Sequence, residues 1–222
     1  MSILTADQVA QFEEQGFLLV SGLMPEGTAA RAEATLCRRL GISLDDPSGW
    51  PDRTTASGHD APEILACLTP EMAAAAAQLS GEEVPGWRPP SSLFTINAFP
   101  QPGPWAHHGP HIDHAIPKDG FRTFPRPMRL ASLIYLNDVA PQSGGTVVWP
   151  GSHRKILARA ESDPERYAYM WVLNESLGDM DLGEGVEVAS QAGDILFYHY
   201  LCAHSGSRNA GSRPRFAIAH KW

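Results

Sequence analysis

The apolar positions of the chain change their period near residue 92, from helical spacing to short runs rich in β-branched and aromatic residues. Thr5 followed by Gln8 has the spacing of a capping box, Val9 and Phe12 share a helical face, and Gly16 stands where a C-cap glycine belongs. The pattern therefore predicts a helix over Ala6–Gln15. The next run, FLLVSGLM from Phe17 to Met24, is short, apolar and bounded by Gly16 and Pro25, which predicts a buried strand. Ala29, Ala32, Leu36 and Leu40 recur every three or four residues ahead of Gly41 and predict a second helix. A third opens at Thr69 and Pro70, an N-cap with proline in the first turn, and closes at Gly81.

Beyond Ser92 the runs SLFTINAFP, RLASLIYLND, GGTVVWPG, GVEVASQAGDILFYHY and RFAIAHKW are separated by proline and glycine. Helices come first and strands later without βαβ alternation, so the expected fold is mainly β, an antiparallel double-sheet barrel or jelly roll buttressed by N-terminal helices. We expect a single domain over residues 1–222, with a helical part over 1–85 and a jelly-roll core over 92–222. Two polar stretches, Asp45–Ala61 and Lys155–Gly185, read as long loops. The second carries Tyr167, Tyr169, Met170 and Trp171 and is expected to act as a substrate lid, against the simpler reading that it packs on the outside of the barrel.

A net charge of −8 argues against a nucleic-acid partner, which calls for a basic excess on one face. Cys37, Cys67 and Cys202 are an odd number without CxxC spacing, so neither a disulfide framework nor a thiolate zinc site is expected, and a reducing cytoplasm suits them. The start lacks a basic leader with an apolar core, and no apolar run approaches the roughly 20 residues that span a bilayer. A small-molecule substrate is the expected partner; oligomeric state is not legible.

His111 and Asp113 are one residue apart, so on a strand their side chains point the same way and can share an ion. Among the nine histidines, His204, just beyond the apolar strand DILFYHYL, is the best third ligand. Two histidines and one carboxylate on one face of iron(II) leave positions open for catalysis, and these ligands lack the thiolate character that favours zinc or copper(I).

The order HID, LIYLNDVAPQSGGTVVWPGSH and GDILFYHYLCAHSGSRNAGSRPRFA, with the opening TADQVAQFEEQGFLLVSGLM, resembles the phytanoyl-CoA dioxygenase family of iron(II)/2-oxoglutarate oxygenases over most of the chain. The resemblance implies a double-stranded β-helix, cupin-like in form, with iron(II) on His111, Asp113 and His204, and with 2-oxoglutarate and dioxygen as cosubstrates. It places the cosubstrate arginine eleven positions after the distal histidine, which is Arg215; Arg213, two positions short, would share its strand face. A guanidinium fork grips a carboxylate in a way that lysine does not reproduce. Thr146 resembles a family position whose hydroxyl helps hold that carboxylate, with Trp149 on the same strand, and Asn97 is a further expected cosubstrate contact. Many family members carry glutamine two residues before the first metal histidine, where this chain has Gly109. Halogenating relatives have a small residue at the position of Asp113, so a carboxylate there favours oxygen insertion, most simply hydroxylation, with 2-oxoglutarate decarboxylated to succinate.

Trp105 and Trp149 are candidate pocket residues, while Trp and Tyr equally often fill cores. His107, His108 and His114 flank the metal loop, His199 alternates to the opposite face from its strand neighbours, His220 reads as structural, and His59 and His153 read as surface. Two other functions fit a metal-bearing barrel: an isomerase or hydrolase using another ion, and a binding protein without turnover.

Overall fold

The computed structural model describes residues 2–52, 54–82 and 87–222, so the expected boundary at residue 85 lies outside the described residues. In chain order its main elements are α1 (Ala6–Gln15), β1 (Phe17–Val20), α2 (Thr28–Leu40), β2 (Thr55–His59), α3 (Pro62–Leu65), α4 (Pro70–Ser80), β3 (Leu93–Ala98), β4 (Leu130–Tyr135) and β5 (Thr146–Val148). Then come α5 (Ser152–Ser162), α6 (Met170–Glu175), β6 (Val186–Val188), β7 (Ile195–His199), β8 (His204–Gly206) and β9 (Arg215–Lys221).

The helix signals work locally. The Thr5 hydroxyl accepts from the Gln8 amide while the Gln8 side chain accepts from the Thr5 amide, and Gly16 ends α1 at φ 80 with its N–H returned to the Phe12 carbonyl. Ala29, Ala32 and Leu36 are the buried face of α2, and the Thr69 hydroxyl accepts from Met72 at the start of α4.

Six antiparallel strands form the larger sheet in the order β1-β7-β4-β9-β3-β2, and three form the smaller, β6-β5-β8. Alternation along each strand divides the interior in two. Ile195 and Phe197 of β7, Ile134 of β4, and Phe216 and Ile218 of β9 join Leu36, Ile64 and Met72 of the helices in one core. Leu196, Tyr198, Leu133 and Ala217 point the other way, into a second core shared with Val147, Val148 and Val188 of the smaller sheet. The helices thus buttress one face of the large sheet, and the small sheet closes the other, the expected jelly-roll arrangement. Among the described residues no helix is long and apolar enough to cross a membrane.

Several expected boundaries are corrected. The strand over Phe17–Met24 ends at Val20, because Gly22 turns at φ 81 and the Ser21 hydroxyl donates to Asp194 at 2.6 Å. The stretch 45–61 is not all loop: β2 pairs with β3 there, its edge position accommodating polar, glycine-containing sequence. The lid expected over Lys155–Gly185 is largely helical, with Ile156 and Ala160 of α5, Met170 and Leu173 of α6, and the following Leu177 all in the second core. These apolar residues do recur at helical spacing, but Arg154, Lys155, Arg159 and Glu161 dominate so short a segment. His59 and His153, expected at the surface, are 6% and 7% exposed.

Candidate metal centre and cosubstrate pocket

His111 lies not in the regular strand expected for it but in a single antiparallel bridge with His204. The His111 amide donates to the His204 carbonyl at 2.9 Å and the His204 amide returns a bond at 3.0 Å, so the two imidazoles sit side by side, ring centroids 4.4 Å apart. Ile112 turns away into the second core, its amide donating to Asn174 Oδ1 of α6 at 2.8 Å, and Asp113 returns to the same side as His111. Donor atoms of His111, Asp113 and His204 all lie within 4.8 Å of one another, the one such group of three metal-binding side chains found among the described residues. Together with the absence of thiolate, that donor set fits iron(II).

The ring nitrogens are assigned by their partners. His204 Nδ1 lies 2.9 Å from the Cys202 carbonyl, which can only accept, so Nδ1 carries the proton and Nε2 presents a lone pair inward. Burial above all pushes His111 down to about 4 and keeps it neutral at physiological pH. Burial alone would raise the Asp113 pKa, but the charged and hydrogen-bonding surroundings of the carboxylate, the Lys221 ammonium in contact with it, outweigh burial and hold this carboxyl well below the usual range. Tyr198 Oη donates to Asp113 Oδ2 at 3.1 Å, and its phenol is kept protonated by burial and by that carboxylate.

The triad borders a cavity of about 300 Å³ between the two sheets, which Thr146, Tyr198, Arg215 and Lys221 also line. Arg215 is 4% exposed; its Nε donates to the Gly144 carbonyl and its Nη1 to that of Ile96, each at 3.0 Å. No acidic side chain pairs with it among the described residues. A cation buried without a counter-charge is costly unless its N–H groups are hydrogen-bonded, and here two carbonyls accept from the fork. Burial lowers its pKa below the ordinary arginine value, though arginine stays charged. Thr146 is buried beside it and accepts a hydrogen bond from Tyr135 Oη at 3.1 Å.

Four other expectations fare differently. Arg213 is not on the strand face of Arg215: it precedes β9 and pairs with Glu33 of α2 at 2.8 Å on the surface. Asn97 pairs in register with Phe216 of the helix-facing core, whereas its neighbour Ile96 lines the cavity, so strand alternation carries Asn97 away from that cavity. Trp149 lies on the same side as Val147, both close to Gly185, whereas Thr146 faces the cavity; it is a core residue and not a pocket wall. Trp105 likewise donates from Nε1 to Glu187 Oε1 at 3.1 Å rather than lining the cavity.

A second cavity, of about 540 Å³, opens on the other side of His111 and Asp113. Ile112, His114 and Ile116 line it from the metal loop, and Trp171 and Asn174 from α6. Lys221 went unread in the sequence. The period-two count along RFAIAHKW carries the face of Arg215 through Ala217 and Ala219 to Lys221, and that signal could have found it.

A sequence model described as phytanoyl-CoA dioxygenase (PhyH) matches residues 12–217. The chain belongs to the phytanoyl-CoA dioxygenase family. It is therefore a 2-oxoglutarate-dependent non-haem iron dioxygenase, with iron(II), 2-oxoglutarate and dioxygen as its cofactor and cosubstrates. Among curated relatives, the ectoine dioxygenase of Bordetella bronchiseptica is 24% identical over 242 aligned residues, covering 96% of this chain and 73% of the relative. Among solved structures, the 2-oxoglutarate-dependent carbocyclase SnoK from nogalamycin biosynthesis aligns with TM-score 0.65 and 20% identity, covering 99% of this chain and 84% of its own. EctD from S. alaskensis with bound Fe aligns with TM-score 0.63 and 20% identity over 98% and 76% of the two chains. These structural likenesses concern the shared fold. Gly109, two residues before His111, is exposed, and a Cβ there would meet nothing within 4 Å.

Proposed function

We propose that His111, Asp113 and His204 hold the iron, that Arg215 and Thr146 bind the distal carboxylate of 2-oxoglutarate, and that the enzyme hydroxylates a small organic molecule. The observation that carries this reading is the buried guanidinium of Arg215, without an acidic partner among the described residues, on the cavity that the triad borders. Two N–H groups of the fork are engaged by the Gly144 and Ile96 carbonyls, which fixes its plane and leaves the others for a carboxylate. When bound, the iron supplies dioxygen activation coupled to decarboxylation of the 2-oxoacid to succinate; the protein binds, orients and excludes water.

In this reading residues 1–222 act as one catalytic domain, and the two cavities divide the labour. The 300 Å³ space between the sheets takes the cosubstrate, and the 540 Å³ cleft beneath α6 takes the substrate, within the usual range for small-molecule sites. Trp171 and Ile116 offer apolar contact there, and Asn174, Lys118 and Glu175 offer polar anchors. The carboxylate of Asp113 leaves no place for a halide, which favours oxygen insertion.

Anaerobic addition of iron(II) and 2-oxoglutarate tests the reading. A metal-to-ligand charge-transfer band is expected, followed by succinate when air is admitted, and Arg215→Ala should abolish both while a barrel isomerase or hydrolase using another ion would keep its activity. Folded protein that yields neither band nor succinate sinks the proposal. Substrate class follows from a metabolite panel scored by stimulated succinate release.

A further inference from the structure

We propose that Lys221 is a positioning residue for Asp113: it holds the outer oxygen of that carboxylate so that the ion receives one oxygen and 2-oxoglutarate keeps room to chelate. The inference rests on the iron reading of the triad given above.

The two oxygens of Asp113 have different surroundings. Oδ1 faces the triad, 3.7 Å from His204 Nε2. Oδ2 is turned away from that contact, accepting from Tyr198 Oη at 3.1 Å and from the Lys221 ammonium, which itself lies 3.4 Å from Tyr198 Oη. Two donors from neighbouring secondary structure thus grip one oxygen, β7 supplying Tyr198 and β9 supplying Lys221. Strand alternation explains the placement: Arg215, Ala217, Ala219 and Lys221 share one face of β9, and the alanines between leave a groove. At about 3.3 Å per residue the two cations stand roughly 20 Å apart along the strand backbone. Their partners differ in kind, Arg215 having no acidic partner among the described residues and Lys221 having a metal-site carboxylate.

Carboxylates bind cations through one oxygen or two. A 2-oxoacid chelates through two positions and dioxygen needs a third, which is all that a facial triad leaves open. An Asp113 free to turn could bring both oxygens onto the ion and occupy a position that the cosubstrate needs. Lys221 also keeps a positive charge beside the ion. Removing it therefore acts in opposite directions: the metal is held as tightly or more so, and 2-oxoglutarate more weakly. A residue that merely supported the fold would weaken both ligands together.

The experiment compares wild type, Lys221→Met, Lys221→Arg and His111→Ala. Co(II) binding to metal-free protein is measured by calorimetry, and 2-oxoglutarate binding to the anaerobic iron(II) protein by its charge-transfer band. Lys221→Met should bind Co(II) at least as tightly as wild type and 2-oxoglutarate about tenfold more weakly, on the scale of other contacts to metal ligands. Lys221→Arg, which retains the cation, should restore both. Wild-type 2-oxoglutarate affinity in Lys221→Met, or joint weakening of both ligands in that folded variant, overturns the inference alone. Wild-type protein that takes up no Co(II), or uptake that survives His111→Ala, overturns the triad reading and the Lys221 inference with it.

Discussion

Replacing Arg215 by methionine separates cosubstrate binding from fold stability. Two of the five guanidinium N–H groups already go to Gly144 and Ile96, which leaves three donors for a carboxylate. The cation is 4% exposed without any ligand, so its desolvation is already incurred when the carboxylate arrives. Hydrogen bonds to charged groups contribute about 1.5–3 kcal/mol each. Two of them, less the desolvation of the carboxylate itself, amount to about 3–4 kcal/mol, or roughly two to three decades in Kd. Stability should move little. The lost bonds to the two carbonyls cost about 1 kcal/mol each, and removal of a buried, unneutralised cation offsets that loss. Lysine, with the charge but not the fork, should fall between. The assay is anaerobic titration of the iron(II) protein with 2-oxoglutarate, followed by its charge-transfer band, alongside thermal unfolding of the metal-free variant. A 2-oxoglutarate Kd within threefold of wild type in folded Arg215→Met would refute the reasoning.

Further predictions concern neighbouring features. Arg213→Ala should leave 2-oxoglutarate affinity unchanged and shift stability by less than about 1 kcal/mol, since its pair with Glu33 is half-exposed and screened by water; isothermal titration and urea unfolding check both halves. His204→Ala should eliminate both Co(II) uptake and the rise in Tm that Co(II) gives the wild type, measured by differential scanning fluorimetry. Gly16→Ala should lose about 1–3 kcal/mol by denaturant unfolding, because φ 80 disfavours a side chain and the added Cβ would sit on the His153 ring. Burial above all pushes His199 down to about 3 and His220 to about 4. The unfolded chain takes up those protons first, so metal-free protein should keep full stability above about pH 6.5 and lose it progressively as pH falls towards 4. A Tm flat across that window would count against the buried, neutral state of these rings.

Much of the site was legible because it is written in strand arithmetic and motif spacing. HxD needs one intervening residue to bring two side chains together, and the backbone bridge between His111 and His204 does so even though it is not a full strand. Thr146 and Arg215, to which the resemblance pointed, both line the cavity that the triad borders. Asn97 and Trp149 were misassigned for one reason: their presence on the right strands was readable, but which side of each strand meets the cavity depends on how the sheets stack. Arg213, the alternative to Arg215, does not share its strand face because β9 begins at Arg215, so period two does not yet apply.

The sequence by itself determined the local elements whose caps are short-range chemistry, Thr5 with Gln8 and Gly16 around α1 and Thr69 before α4. It also determined the identity and spacing of the chemistry-bearing residues. Tertiary structure decided the rest. It made β2 out of a polar stretch by lending it the edge of β3, and it drew α5 and α6 into the second core through four apolar side chains among many charges. It also turned Lys221, an unremarked residue at the end of a strand, onto the outer oxygen of Asp113. Hydrogen-bonded caps act across a few residues of chain, whereas burial and ion pairing depend on which distant segments the packed sheets bring within a few ångströms of each other.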